Sequence, residues 1–170
     1  IQMKNVIGKE DTAFTVQYDF CLPSRFDLEY IDDKGEKVQP IVIHRSSFGA
    51  MERSIGFLIE HFAGVVSTWI APIPAVIMPI SAGHIEYSNS LLENLKKEGI
   101  RAELWSESDS LQKRVRTAEK QKIPYMLIIG DKEIESDSAS IRSRGQVDLG
   151  VIKLANLIDK IKENIKTKSL

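Results

Sequence analysis

The chain has 170 residues, 42% hydrophobic and 28% charged, with a formal net charge of −1. That is an ordinary soluble, globular composition, enough for one domain or two small ones. No apolar run is long enough for a transmembrane helix, and no secretory signal is expected; the single Cys21 excludes an internal disulfide and a multi-cysteine metal site. These features fit a cytosolic protein. Charge divides weakly, −3 over residues 1–74 and +2 over 75–170. That split allows a local RNA-binding patch without arguing for one.

Ala13–Phe20 alternates and predicts a strand, with Phe14, Val16, Tyr18 and Phe20 on one face and Thr15, Gln17 and Asp19 on the other. The wet face is either plain solvent face or one wall of a polar cleft lined by Gln17 and Asp19. Pro23 breaks the strand. Phe26–Ile31 and Val38–His44 flank the turn signal Asp32-Asp33-Lys34-Gly35, so 26–44 reads as a β-hairpin. After Ser46, Ser47 and Gly49 the pattern turns helical. Met51, Ile55, Leu58, Ile59 and Phe62 form one apolar stripe, and Gly64 is the stop. His44, Glu52 and Arg53 therefore sit at a strand-to-helix corner, where unpaired helical N–H groups favour anionic ligands. On these features alone plain structure is the better reading, with His44 a core histidine and Arg53 an ion-pair partner of Glu52 or Glu60.

Gly64–Pro74, with Trp69 and two prolines, reads as a fixed connection. Beyond it strands and helices alternate. Ala75–Ile80 is a strand, Ile85–Lys97 a helix ended by Gly99, and Ile100–Trp105 a strand. Asp109–Lys120 is a helix with Ser108 or Asp109 as N-cap, and Pro124–Ile129 a strongly apolar strand. A turn at Gly130-Asp131-Lys132 leads to a more polar strand, Ile134–Arg144, antiparallel to the last. Gly150 precedes a final amphipathic helix carrying Ile152, Ala155, Leu157, Ile158, Ile161 and Ile165. This βαβαββα order predicts an α/β domain with a mixed sheet.

The wording of the corner is more specific than its pattern. HRSSFGAMERSIGFLIEHFAG resembles motif 3 of class II aminoacyl-tRNA synthetases in the form that threonyl-tRNA synthetases carry: His-Arg, then Gly-x-x-Glu-Arg, then a helix to Glu-His-x-Ala-Gly. VQYDFCLPSRFDLEYID upstream, and TWIAPIPAVIMPI and IPYMLIIGDKEIES downstream, match in the same order, so the resemblance spans essentially the whole chain. It implies a combined α+β and α/β fold. Residues 1–70 would be the end of a class II catalytic core, a remnant of its antiparallel sheet with motif 3 at 41–64. Residues 71–170 would be a mixed-sheet anticodon-binding domain. The chain begins at Ile1, and in this light it reads as the C-terminal part of a longer synthetase.

The resemblance also implies roles. The activity would be ligation of threonine to tRNA(Thr), with ATP and Mg2+ for activation. Arg53 falls on the arginine that holds ATP, with Glu52 beside it and Gln17 bordering the adenylate pocket. His44 falls on a ligand of a zinc ion, Zn2+, that grips the amino and hydroxyl groups of threonine; its other two ligands would lie outside this chain. Glu133 and Arg142 fall on positions that contact anticodon bases, and Ser108 on a third. Arg144, Lys113, Arg114 and Arg116 are candidate phosphate contacts. The full-length enzyme would be a cytoplasmic homodimer, and the 170-residue piece alone inactive. Departures from the pattern are Thr12 for a glutamine, Ala50 for a serine, Ser46 for an alanine, Val66-Ser67 for Phe-Pro, and Glu107 for an arginine. Alternatives are a free-standing anticodon-domain accessory protein that binds RNA, or a related ligase for proline, histidine or glycine.

Overall fold

In the computed structural model, residues 1–106, 109–145 and 147–169 are described. The chain falls into two compact units, Ile1–Gly64 and Val65–Leu170.

The first unit is built from short antiparallel ladders. β1 (Gln2–Lys4) pairs with β2 (Glu10–Thr12), and β3 (Thr15–Asp19) leads into a one-turn helix, α1 (Leu22–Arg25). β4 (Tyr30–Ile31) and β5 (Lys37–Val38) close the expected turn, where Asp32 Oδ1 accepts from the Lys34 and Glu36 amides at 2.9 Å. The hairpin expected over 26–44 stops there. Pro40 has no N–H to donate and ends the ladder. The chain then resumes as β6 (Val42–Ser46), which pairs with β3, Gln17 opposite His44. α2 (Met51–His61) follows with the predicted stripe. Gly49 makes the corner possible: its φ is +67°, and a Cβ there would lie 2.6 Å from the Ala13 carbonyl oxygen.

The second unit begins its sheet with β7 (Ala75–Pro79), followed by a 3-10 turn (Ala82–His84), α3 (Ile85–Lys97) and β8 (Ala102–Leu104). α4 (Leu111–Lys120), β9 (Tyr125–Ile129), α5 (Asp131–Glu135), β10 (Ser138–Ser143), β11 (Val147–Lys153) and α6 (Leu154–Thr167) complete it. The sheet order is β11-β10-β9-β7-β8, with β7 parallel to both neighbours and β10 antiparallel to β9 and β11. β7 and β9 are buried along their whole length, as continuous apolar runs require.

Alternate residues of those strands point to two cores. Ala75, Ile77, Leu127 and Ile129 pack with Leu91 and Leu95 of α3 and Leu157 and Ile161 of α6. Val76, Met78 and Met126 pack with Ala118 and the α4 residues Leu111 and Val115. Among the described helices only α4 supplies that second core.

The mixed α/β class holds, with three local differences. Asp131–Glu135 is a helical turn, fixed at its start where the Gly130 amide donates to the Glu133 carboxylate. The cap of α4 is Ser110, whose Oγ accepts from the Lys113 amide. The stretch around Gly150 is an extra edge strand, β11, so the last helix starts at Leu154.

Candidate functional site

The corner of the first unit is set by register. Pairing of Gln17 with His44 puts both on the same face as Asp19, two residues on from Gln17. Arg45, opposite Val16, takes the other face. Asp19 Oδ2 lies 2.7 Å from His44 Nε2, while its Oδ1 accepts from the Cys21 and Leu22 amides at 2.8 and 2.9 Å. The Leu22 amide, then His44, then the Cys21 amide hold the Asp19 carboxyl below the usual carboxylate range. Asp19 therefore stays ionised and orients the imidazole, leaving Nδ1 for a ligand. A carboxylate behind a histidine is the usual support for a metal-bound imidazole.

The donor set limits that fit. Among the described residues no group of three His, Cys, Asp or Glu side chains could hold a metal ion. His44 thus fits as one donor in a site completed by other groups. Its side chain is 47% exposed. Arg53 is also exposed and gives one N–H, from Nη1, to the Thr12 carbonyl at 3.3 Å. Glu52 is exposed in the first turn of α2. Neither the imidazole nor the guanidinium is sealed in apolar packing.

In the second unit α4 and the outer strands border an open groove of about 720 Å3. Gln112, Arg116 and Glu119 line it from α4, Arg142 from β10 and Asp148 from β11, with Leu111, Val115 and Ile128 as apolar wall. A groove with cations, polar side chains and apolar wall suits unstacked bases, which offer both a ring face and hydrogen-bonding edges. Arg142 and Arg116 are exposed in it.

Other expected contacts are placed differently. Glu133 Oε2 accepts the Gly130 amide at 3.0 Å, which freezes the carboxylate at the end of β9. Arg144 turns away from the groove. It donates to the Val66 carbonyl and lines a separate cavity of about 350 Å3 with Tyr125, Lys160 and Asn164. Burial pulls its pKa down. Lys113 pairs with Asp109 at 2.8 Å. Arg114 corrects the expectation of a phosphate contact: it is 6% exposed, and its guanidinium donates to the Trp105 carbonyl at 2.6 Å and the Pro79 carbonyl at 2.9 Å. It lies on the buried face of α4, where the two carbonyls take Nη1 and Nη2 while Nε has no partner among the described residues. Ser108 and Glu107 lie outside the described residues.

His84 is buried and caps the 3-10 turn that precedes α3. The Ser81 amide donates to its Nδ1 at 3.2 Å, so Nε2 carries the proton shared with Asp131 at 3.0 Å. Sequence reasoning did not find the Asp19–His44 contact or the place of Asp148. The β-branched alternation of Val147 and Val151 was the available signal for β11.

Comparison with known proteins covers both units. Residues 74–164 match the family model described as "Anticodon binding domain". The chain is 47% identical over 168 residues to a threonine–tRNA ligase of Caldanaerobacter subterraneus subsp. tengcongensis, covering 99% of this chain and 26% of that protein. It is 43% identical over 161 residues to the Clostridium perfringens threonine–tRNA ligase, covering 95% and 25%. The chain thus spans about a quarter of the length of these relatives.

Among solved structures, the RNA binding domain of threonyl-tRNA synthetase from Cryptosporidium parvum aligns with a TM-score of 0.77 at 27% identity, over 95% of this chain and 41% of that one. Prolyl-tRNA synthetase of the same organism, solved with L-proline and AMP, aligns at 0.78 and 23% identity over 95% and 35%, which speaks to fold alone. A match over more than half of its residues, on the very segment that forms the five-stranded sheet and its groove, means that the chain belongs to the anticodon-binding domain family.

Proposed function

We propose that this chain is part of an ATP-dependent threonine–tRNA ligase. Residues 71–170 recognise the anticodon of tRNA(Thr), and residues 1–70 contribute motif 3 to the activating core. The observation that carries this reading is similarity to threonine–tRNA ligases along 99% of the chain, joined to a groove inside the family-matched segment that sets Arg116 and Arg142 beside Glu119, Asp148 and an apolar wall.

In this reading Arg53 binds ATP, with its Mg2+, through a planar charge that stacks on adenine and offsets phosphate. Glu52 and Gln17 border the adenylate. Activation needs little covalent work from the protein; positioning and charge stabilisation supply the rate. His44, braced by Asp19, gives one ligand to Zn2+, which when bound supplies a Lewis-acid grip on the amino and hydroxyl groups of threonine. Glu133 and Arg142 read anticodon bases, with Ser108 as a third contact, and Arg116 meets phosphate. Arg144 acts from the rim of its own cavity. The working enzyme is a cytoplasmic homodimer. Among the described residues no helix is long and apolar enough to cross a membrane.

The test is aminoacylation by the enzyme that contains this chain, offered threonine, proline, histidine and glycine with their tRNAs. Threonine alone is expected to be charged. Charging of another of the four defeats the reading, as does pyrophosphate exchange with threonine by the 170-residue chain alone for the division of labour. In binding assays Arg142→Ala is expected to weaken tRNA(Thr) by about tenfold and relax anticodon preference, whereas Arg116→Ala weakens all tRNAs alike.

A further inference from the structure

Arg142 and Asp148 face each other across β10 and β11, and both line the 720 Å3 groove. They share that face because of a bulge. Ile141 pairs with Gly150, but Arg142 pairs with Asp148, so Leu149 is the extra residue. Gly150, at φ +72°, gives its amide to Asp148 Oδ1 at 2.8 Å. That bond fixes the carboxylate and leaves Oδ2 to the groove. Among the described residues the Arg142 guanidinium makes no hydrogen bond or ion pair.

A guanidinium presents paired donors and a carboxylate paired acceptors. A fixed carboxylate beside a nucleic-acid path repels phosphate, so its useful partner there is a base edge. A base that satisfies both groups needs an acceptor next to two adjacent donors. Among the four bases only the Watson–Crick edge of guanine has that order, O6 beside N1–H and the 2-amino group. Uracil and cytosine put a carbonyl where the second donor is needed, and adenine offers one donor and one acceptor. Leu111, Val115 and Ile128 give the ring a wall to lie against.

We infer that Asp148, paired with Arg142 by the bulge, is a specificity-determining residue that reads the Watson–Crick edge of one unstacked guanine. This rests on the anticodon-binding reading above and adds a residue to it. Arg142 donates to O6, and Asp148 accepts from N1–H and the 2-amino group.

The test uses the full 170-residue chain and an anticodon stem-loop RNA of tRNA(Thr) whose loop guanosines are replaced one at a time by inosine, which lacks the 2-amino group. One replacement is expected to weaken wild-type binding by about tenfold, the worth of a hydrogen bond to a charged group. Asp148→Asn keeps an oxygen for the Gly150 amide but loses the second acceptor. It is expected to bind guanosine and inosine at that position alike, while sensitivity elsewhere stays. Asp148→Glu, which keeps the acceptors, is expected to retain part of the discrimination. An Asp148→Asn chain with full inosine sensitivity overturns the inference, as does a wild type indifferent to every replacement; a preference for this stem-loop over an unrelated hairpin would still leave anticodon binding standing. Absence of that preference in the wild type overturns both. A thermal melt of each variant separates misfolding from lost recognition, and a variant that melts early is replaced in the comparison by Asp148→Ser.

Discussion

The two units differ in what holds them. In Ile1–Gly64 the buried residues among those described are Ala13 and Pro23, and α2 buries none. Val16, Tyr18 and Ile43 on one face of the β3–β6 ladder, and Ile55 and Ile59 on α2, are exposed. In Val65–Leu170 two cores sandwich a five-stranded sheet, with Ile77, Leu127, Leu157 and Ile161 fully buried. Backbone pairing and helical pattern are present in both; burial is not. Hydrophobic area removed from water is the main favourable term in folding, so the second unit has the means of its own stability and the first has little. A large exposed apolar patch marks a surface that meets something else.

The contrast can be broken at its strongest point. Leu127→Ala is expected to cost about 3 kcal/mol in urea unfolding followed by circular dichroism, and Ile43→Ala less than about 0.5 kcal/mol. Comparable losses would mean that the first unit has a core after all. Arg114→Met sharpens it within the second unit. The substitution leaves the Trp105 and Pro79 carbonyls without their charged donors, and a loss of about 2 kcal/mol is expected in the same assay, with tRNA affinity unchanged once folded.

The smallest effect is one of pH. Burial first, then the hydrogen bond from its hydroxyl to Asp137, pushes Tyr87 up from 10.0 to about 12. A raised folded pKa gives stability that is complete below pH 10 and is lost as pH climbs through 12. The urea midpoint should therefore fall over that alkaline range, and Tyr87→Phe should flatten the fall. A slope that Tyr87→Phe leaves untouched would assign it to other groups.

Periodicity was enough for the second unit's class. The apolar runs at 75–80 and 124–129, and the stripes of the helices between, named the sheet and its covers. What stayed hidden was local geometry with a tertiary cause. Gly150 reads as a breaker, yet it sits inside a strand as the pivot of a bulge. Glu133 was legible as a carboxylate near the sheet's end, but not that a cap to Gly130 freezes it.

In the first unit Asp19 and His44 were each visible. Their contact depends on the register of two strands, and no local pattern encodes it. Arg114 failed for a related reason: charge suggested a wet face, whereas two strand-end carbonyls were waiting inside. Chemistry carried by a single side chain was readable, and chemistry made by a pair far apart in the chain was not.

The place of β7 between β8 and β9 has a consequence for how the protein is made. Ala75 pairs with Ala102 on one side and Tyr125 on the other. This interior strand emerges first but cannot acquire its second neighbour until two helices and β9 have followed. Until then its apolar length has only one partner and is open to the wrong one. A ribosome paused just before Tyr125 should thus carry a nascent chain that recruits holdase chaperones, and release through Ile129 should let it go.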